Sequence, residues 1–517
     1  MKYSFDDITL DLDVRELRKS GVLVSAEPLV FDLIAYFVAN ADRVISRDEL
    51  VEAVWEGRFV SDAAVSSAVS SARKALGDDG HQQKFIRTVH GRGFRFFEPV
   101  NDAAPAQNSS MAEQPNTKPV IAVLQFTPVS RSPDEDKLGE ILSKSIATEL
   151  YQFRHYGVSF EGKIESQNTS DTDERKFGNS VGADFVLSGN LWVLNGRIRI
   201  NAHLLDCNGG KKFWADRSDG DLSDTLDTID QIARRIAATT VGRIDALGQR
   251  LTASKPSDIL SVSQLILRAQ AFYNQVSKKA HTEALDLLSS ILEQDPQNSR
   301  AQMLIGAIHD MAFFTGWSPE PDQSLRLALK HGRLAIQIDP ENALAHAHFG
   351  EALLHSHRIP EAQSQYERAL NLNPNDVAVI TLHAAFLVEN GRTKEALDRL
   401  ILARELDPFE LNWIPWIRGE AHFALKEFDA AIADLQEIVF PINNARALLA
   451  SCYAHAGRQS DAEETLAEFL RVARSEMARF PESPDEWQNY FSRESSNHKS
   501  AVQDLLLNGL RMAGLHI

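Results

Sequence analysis

Residues 61–97 read SDAAVSSAVSSARKALGDDGHQQKFIRTVHGRGFRFF, and their pattern decides how the first part of this chain folds. The spacing predicts a helix over residues 61–76, ended by Gly77. On a helical wheel Val65, Ala68, Val69, Ala72 and Leu76 share one apolar face, with Ser66, Ser67, Ser70, Arg73 and Lys74 opposite. Asp78-Asp79-Gly80 then predicts a turn. Two strand-like runs follow, residues 85–90 and 94–97, joined by a Gly91-Arg92-Gly93 tip. Short hydroxyls and cations on an unobstructed helix face suit the major groove of a DNA duplex, with Ser66, Ser67, Ser70 and Arg73 toward the bases. Lys74, Arg87, Arg92 and Arg95 are candidates for phosphates, Arg92 at the tip also for the minor groove.

Charge supports that assignment. The chain of 517 residues carries a formal net charge of −18. Residues 1–57 hold 6 Lys and Arg against 12 Asp and Glu, whereas residues 58–97 hold 7 against 3. Positive charge is thus concentrated where the duplex contact is expected. An acidic remainder weakens non-specific attraction to DNA and leaves more of the work to specific contacts.

Length and composition bound the rest. A chain this long is expected to hold about three domains. With 43% hydrophobic and 24% charged residues it has the composition of a globular protein. No apolar run approaches the roughly 18 residues that span a bilayer; the longest candidate, residues 29–41, is interrupted by Asp32. The start lacks a signal-peptide pattern, and only Cys207 and Cys452 are present. A cytoplasmic protein is expected, with no membrane contact, disulfide framework, metal set or cofactor.

Residues 3–25 alternate apolar and polar positions, as in a small antiparallel sheet. A first helix is expected over residues 29–40 with Leu29, Leu33 and Phe37 inward. A second starts at the capping-box pattern Ser46-Arg47-Asp48-Glu49 and runs to Trp55. Together the motifs FDLIAYFVANADRVISRDELVEAVW, VSSARKALGDD and FIRTVHGRGFRF closely resemble the OmpR/PhoB-type winged helix-turn-helix domain. The resemblance covers almost all of residues 3–98. It implies that the helix over residues 61–76 reads the major groove, that the wing around Arg92 touches backbone or minor groove, and that subunits pair on adjacent half-sites. Response regulators of this type carry a phosphoacceptor domain ahead of the module; here the module comes first, so control by aspartyl phosphate is not expected.

Residues 101–118 collect Pro, Ala, Asn, Ser and Gln without periodicity and read as a flexible tether. Residues 119–250 read as a separate α/β domain. Its signals are a buried-strand run (PVIAVLQF, 119–126), a helix with Leu138, Ile141, Leu142, Ile146 and Leu150 on one face, and a hairpin turning at Asn195-Gly196. A further strand is expected to end at Phe213-Trp214, followed by a helix over residues 222–246. These segments resemble the TolB-like domain. Asp184, Asp206 and Asp216 invite a metal reading, but strand-end carboxylates are more often caps.

From residue 257 the pattern becomes an all-α array. Pro340, Pro374 and Pro408 are 34 residues apart, the period of tetratricopeptide repeats. Ala284, Ala328, Ala362 and Ala396 stand twelve residues before Pro296 and these three prolines, and Gly306, Gly350 and Ala384 ten residues after the first three; Arg418 breaks the rule. The interval from Pro296 to Pro340 is 44, which places extra residues near MAFFTGWSPEPDQS. Residues 500–510 read as a capping helix. Phe313, Phe314, Trp317, Trp413 and Trp416 could line a contact surface or fill core. His346, His348, His355 and His357 could suggest a metal, but packed or solvated histidines fit better, since His346 and His348 do not share a helical face.

The domain order resembles that of HilA-like bacterial regulators. It implies a non-enzymatic transcriptional regulator that binds promoter DNA, as a possible homodimer. RNA polymerase or other proteins are then expected partners, and the repeat groove is expected to take a peptide or protein. The alternative is a repeat scaffold whose winged helix is a protein-contact module, which the basic segment disfavours.

Overall fold

The computed structural model describes residues 2–5, 8–11, 16–19, 22–24, 28–39, 45–54, 60, 62–78, 83–89, 93–96, 101–102, 118–130, 133–160, 171–252, 260–408, 413–439, 441–492 and 500–516. They form two compact units, Met1–Glu113 and Gln114–Ile517.

In the first unit the opening alternation forms an antiparallel meander of β1 (Lys2–Phe5), β2 (Ile8–Asp11), β3 (Glu16–Lys19) and β4 (Val22–Val24). Three helices follow, α1 (Pro28–Ala39), α2 (Arg47–Val54) and α3 (Asp62–Leu76), then the hairpin β5 (Ile86–Val89) and β6 (Gly93–Phe96). Leu10, Leu33, Ile34, Phe37, Leu50, Ala72 and Leu76 are fully buried in the shared core. Leu29, expected inward, is 36% exposed, because the buried stripe of α1 runs through Val30, Ile34, Phe37 and Val38 instead. A short strand β7 (Asn101–Asp102) pairs with β1, Tyr3 opposite Asp102. The first two residues of the expected tether therefore belong to this sheet, and residues 103–117 lie outside the described residues.

The second unit opens with an α/β layer. Its strands are β8 (Val120–Val123), β9 (Thr127–Pro128), β10 (Gly157–Phe160), β11 (Phe185–Leu194), β12 (Arg197–Asp206) and β13 (Lys211–Asp221). The sheet order is β10-β8-β11-β12-β13, with β9 beside β11. The first two pairings are parallel and the last two antiparallel. Asn195 (φ 51) and Gly196 (φ 74) make the expected tight turn. One face of the sheet carries α4 (Pro133–Tyr151) and α6 (Thr225–Thr252), the other α5 (Asp171–Ser180). Ile141 is 45% exposed rather than inward; the buried stripe of α4 is Gly139, Leu142, Ser143, Ile146, Ala147 and Leu150. Small residues there let the helix approach the sheet: Ser143 Oγ accepts from Phe126 N at 2.8 Å. Phe213-Trp214 lie in the first half of β13, not at its end, and α6 is entered through a 3-10 turn, Leu222–Asp224.

Helix pairs then stack: α7 (Val262–Asn274) with α8 (Lys278–Gln294), α9 (Ser299–Phe314) with α10 (Pro321–Ile338), α11 (Ala343–His355) with α12 (Ile359–Leu372). The series continues with α13 (Val377–Glu389) and α14 (Thr393–Leu406), α15 (Trp413–Ala424) and α16 (Phe428–Gln436), and α17 (Asn443–His455) and α18 (Gln459–Glu476). It closes with α19 (Pro484–Ser492) and α20 (Ser500–Met512). The insertion lengthens α9 and α10 to 16 and 18 residues, against 13 and 14 in the next pair, and the turn between them to residues 315–320.

The repeating proline motif has a physical cause. Asp295 and Asp339 end one helix, proline cannot continue it, and Asn298 and Asn342 cap the next by accepting from Ala301 N (3.0 Å) and Ala345 N (3.1 Å). At Arg418 the small residue has moved one place: Gly419 approaches Leu435, while Arg418 pairs with Asp434 (2.8 Å) and Glu437 (2.7 Å). Phe313, Phe314, Trp317 and Trp416 are buried between helices. The expected capping helix α20 packs on α17, with Leu505 O within 2.9 Å of His455 Nε2.

The second unit is continuous. Ala238 of α6 lies in the core of the repeats and Leu267 of α7 in the core of the sheet layer. Thr239 Oγ1 donates to Leu406 O at 3.1 Å, and Asn375 Nδ2 to Glu149 Oε2 at 3.0 Å.

Candidate nucleic-acid interface

Helix α3 buries Val65, Ala68, Val69, Ala72 and Leu76, the stripe read from the sequence, and turns Ser66, Ser67, Ser70 and Lys74 outward as exposed side chains. Its end is fixed by backbone: Asp78 N donates to Arg73 O (2.8 Å) and Gly77 N to Lys74 O (3.1 Å), with Gly77 at φ 72. Lys19 reaches Leu76 O from β3 at 3.4 Å.

Arg73 is placed differently from its sequence neighbours. It sits four residues beyond Val69, at the margin of the apolar stripe, and is half-buried. Its Nε donates to Ile86 O (2.9 Å) and its Nη2 to Thr88 Oγ1 (2.9 Å), tying α3 to β5. Burial lowers its pKa, with the Asp78 carboxylate acting in the opposite direction. Arg73 is a clip between helix and hairpin.

The hairpin is held at three further points. Asp78, 8% exposed, accepts from Lys84 N (2.8 Å) and Phe85 N (2.9 Å). Gln83 Oε1 accepts from Thr88 N at 2.8 Å. Ile45 and Phe94 exchange backbone hydrogen bonds of 2.8 and 2.9 Å. That bridge explains Gly93: at φ 130, a Cβ there would lie 2.0 Å from Ile45 O.

Arg87 and Arg95 stand directly opposite each other across the hairpin, Arg87 exposed and Arg95 partly so. Like charges in that register repel, and Arg87 Nε donates to Gln83 O at 3.3 Å. Arg92 lies outside the described residues. Arg47, at the start of α2, was not singled out by the sequence pattern. Its Nη1 donates to Ser66 Oγ at 3.2 Å, and its guanidinium lies 5.3 Å from the Phe94 ring centroid, adding a cation at the edge of the α3 face. Only tertiary packing brings Arg47 there.

Other polar groups in the second unit are engaged structurally. Asp184 accepts from Val120 N (3.0 Å), Asp206 from Asn208 N (2.9 Å) and Gly209 N (2.8 Å), and Asp216 lies 3.6 Å from Arg235. His346 lies 2.7 Å from Gln365 Oε1, His348 is 3.3 Å from Glu351, His355 2.9 Å from Asp310, and His357 occupies a turn at φ 60. Glu174, Ser188 and His203 form a cluster invisible in the sequence. Ser188 Oγ (2.7 Å) and Glu174 Oε1 (3.0 Å) both meet Nε2 of His203, so the carboxylate does not orient the ring through Nδ1, as a nucleophile–base–acid relay requires.

A sheet, three helices and a terminal hairpin packed on the third helix define a winged-helix DNA-binding domain. Residues 21–96 match the family model described as "Transcriptional regulatory protein, C terminal", and the module is of the OmpR/PhoB type found in transcriptional regulators. The chain is 27% identical over 246 residues to "Putative adenylate cyclase 3" of Rhizobium meliloti, covering 48% of this chain and 42% of that protein. It is 22% identical over 417 residues to "Transcriptional regulator HilA" of Salmonella typhi, covering 79% and 71%. It is 33% identical over 88 residues to "Transcriptional activator CadC" of Escherichia coli, 17% of each. The chain thus spans less than half of the first relative. No helix among the described residues is long and apolar enough to cross a membrane.

Proposed function

We propose that this protein is a cytoplasmic, non-enzymatic transcriptional regulator. It reads promoter DNA with α3 while the hairpin holds the backbone, and residues 114–517 bind an effector or protein partner. The single observation that carries this reading is the outward face of α3: small hydroxyls and Lys74, with the opposed Arg87 and Arg95 on the attached hairpin. Lys74, Arg87, Arg92 and Arg95 engage phosphates. Ser66, Ser67 and Ser70 approach bases, and Arg73 keeps helix and wing in one geometry. Hydroxyl side chains make few bidentate base contacts, so selectivity also draws on DNA shape and on paired subunits. RNA polymerase is a natural partner of a regulator so placed.

Genome-wide occupancy of the intact protein supplies the operator, and retardation of that duplex supplies the test. Lys74→Ala is the clean variant, because Arg73 also supports the fold. It should weaken duplex binding and reduce the slope of log K against log salt by about one. Unchanged affinity and slope would refute the assignment of α3.

A further inference from the structure

We propose that the cavity lined by the first helix of successive repeat pairs is a binding site for a small protonated amine. The cavity has an open volume of about 120 Å³, framed by α7, α9, α11, α13 and α15 together with α6. It is lined by the carboxylates of Asp245, Asp310, Glu351, Glu389 and Glu420, and its described lining contains neither lysine nor arginine. Four aromatic side chains, Tyr273, Phe314, Trp413 and Trp416, line it as well. Their rings are contiguous: Trp413 lies 6.4 Å from Tyr273 and 5.7 Å from Trp416, which lies 5.5 Å from Phe314. Aromatic rings and carboxylates around one small space favour a cation.

The protein's own groups register the same field. Arg300 donates to Asp245 at 2.9 Å from outside the cavity, and His355 meets Asp310 at 2.9 Å. Burial opposes charge on His355, but Asp310, Glu389 and Glu351 together hold its pKa up to about 10. Burial, with Glu351 and Asp310 adding to it, likewise raises the Tyr273 hydroxyl well above its ordinary value.

Gln270 narrows the class of cation. Its side chain lines the cavity and the residue is 8% exposed. Its Nε2 donates to Asn274 at 3.2 Å, while its Oε1, fully buried, meets no donor. A buried acceptor of this kind calls for an N–H or O–H partner. A quaternary ammonium has none to give; a protonated amine does. Among the described residues no group of His, Cys, Asp or Glu is arranged to hold a metal ion, which also favours an organic cation. The volume suits a short alkylammonium or the end of a lysine side chain.

This inference deepens the reading of residues 114–517 as an effector-binding half, and the site itself is tested by binding measurements that need no DNA. The full chain is titrated calorimetrically, and by tryptophan fluorescence, with butylammonium, tetramethylammonium and the tripeptide Gly-Lys-Gly against sodium chloride at equal ionic strength. Saturable binding of butylammonium or of the tripeptide is expected, with tetramethylammonium weaker by about tenfold. Butylammonium alone identifies a free amine as the source, and the tripeptide alone a lysine side chain; both support the proposal. Glu389→Gln should weaken binding by about tenfold. Gln270→Leu should reduce the preference over tetramethylammonium. Melting temperatures near that of the parent protein show that the variants are folded. Absence of saturable binding by both probes, equal binding of tetramethylammonium, or unchanged affinity in a folded Glu389→Gln protein would overturn it. Amine binding that leaves operator affinity unchanged would sustain this site and instead reject the effector reading.

Discussion

Single residues divide the outward face of α3 from the contacts that hold the hairpin to it. The helical wheel placed Arg73 beside Lys74 on the outer face, and most of that face is as read. The exception follows from position: Arg73 lies within one turn of Val69, close enough for its head to reach the Ile86 carbonyl. A wheel shows the angle but not the strand that waits beside it. Arg73→Ala should therefore lower the stability of the first unit by about 1–3 kcal/mol, leaving Ile86 O and Thr88 Oγ1 without their donor; chemical denaturation checks this. In the sequence Gly93 is one residue of the Gly91-Arg92-Gly93 tip; in the structure its requirement is sharper. A methyl group there meets the Ile45 carbonyl, so Gly93→Ala should destabilise the unit by roughly 2–4 kcal/mol and separate the hairpin from the helices. A melting curve with the parent midpoint would contradict that. Nothing local in the sequence announces the Ile45 contact, because it joins residues about fifty positions apart.

At the scale of elements, the repeat array was the most legible part. Its period rests on caps, small crossings and prolines, all local signals. The turns inside each pair follow the same logic. Gly391 and Gly457 take the left-handed conformation, and His357 (φ 60) and Lys426 (φ 62) take it in the equivalent turns. Arg392 and Arg458 then pair with Glu395 (2.6 Å) and Asp461 (2.7 Å), as Arg358 does with Glu361. His357 is thus a turn residue standing where glycine is preferred. His357→Gly should raise stability by about 0.5–1 kcal/mol, seen as a higher melting temperature of the second unit. The apolar stripes of α1 and α4 were read one position off at Leu29 and Ile141, since several hydrophobic residues crowd each turn and only packing selects among them.

At the scale of the whole molecule, the buried histidines of the second unit give stability a pH dependence. Burial lowers His281, His331 and His383 to about 4. Above their ordinary value of 6.5 they are neutral in folded and unfolded chains alike; below it only the unfolded chain takes up protons readily, so stability declines from pH 6.5 toward 4. His355 acts in the opposite sense. With its pKa raised to about 10, its contribution is complete below pH 6.5 and is lost as pH rises through 10. The part of the pH dependence that these histidines carry should therefore peak near pH 6.5, and His281→Phe should flatten the acid side. An unchanged acid limb in that variant would refute the role of His281. The cavity carboxylates come from helices far apart in sequence, which is why no motif revealed them.

The burial of α6 against α7 has a practical consequence for anyone cutting this chain into pieces. Sequence alone suggests starting a repeat fragment at residue 257. Such a fragment would leave Leu267 of α7 without α6 beside it and would strip Asp245 from Arg300. It would invite aggregation and lose part of the cavity wall. Expression boundaries placed ahead of Lys118 keep the sheet layer and the repeats as one product.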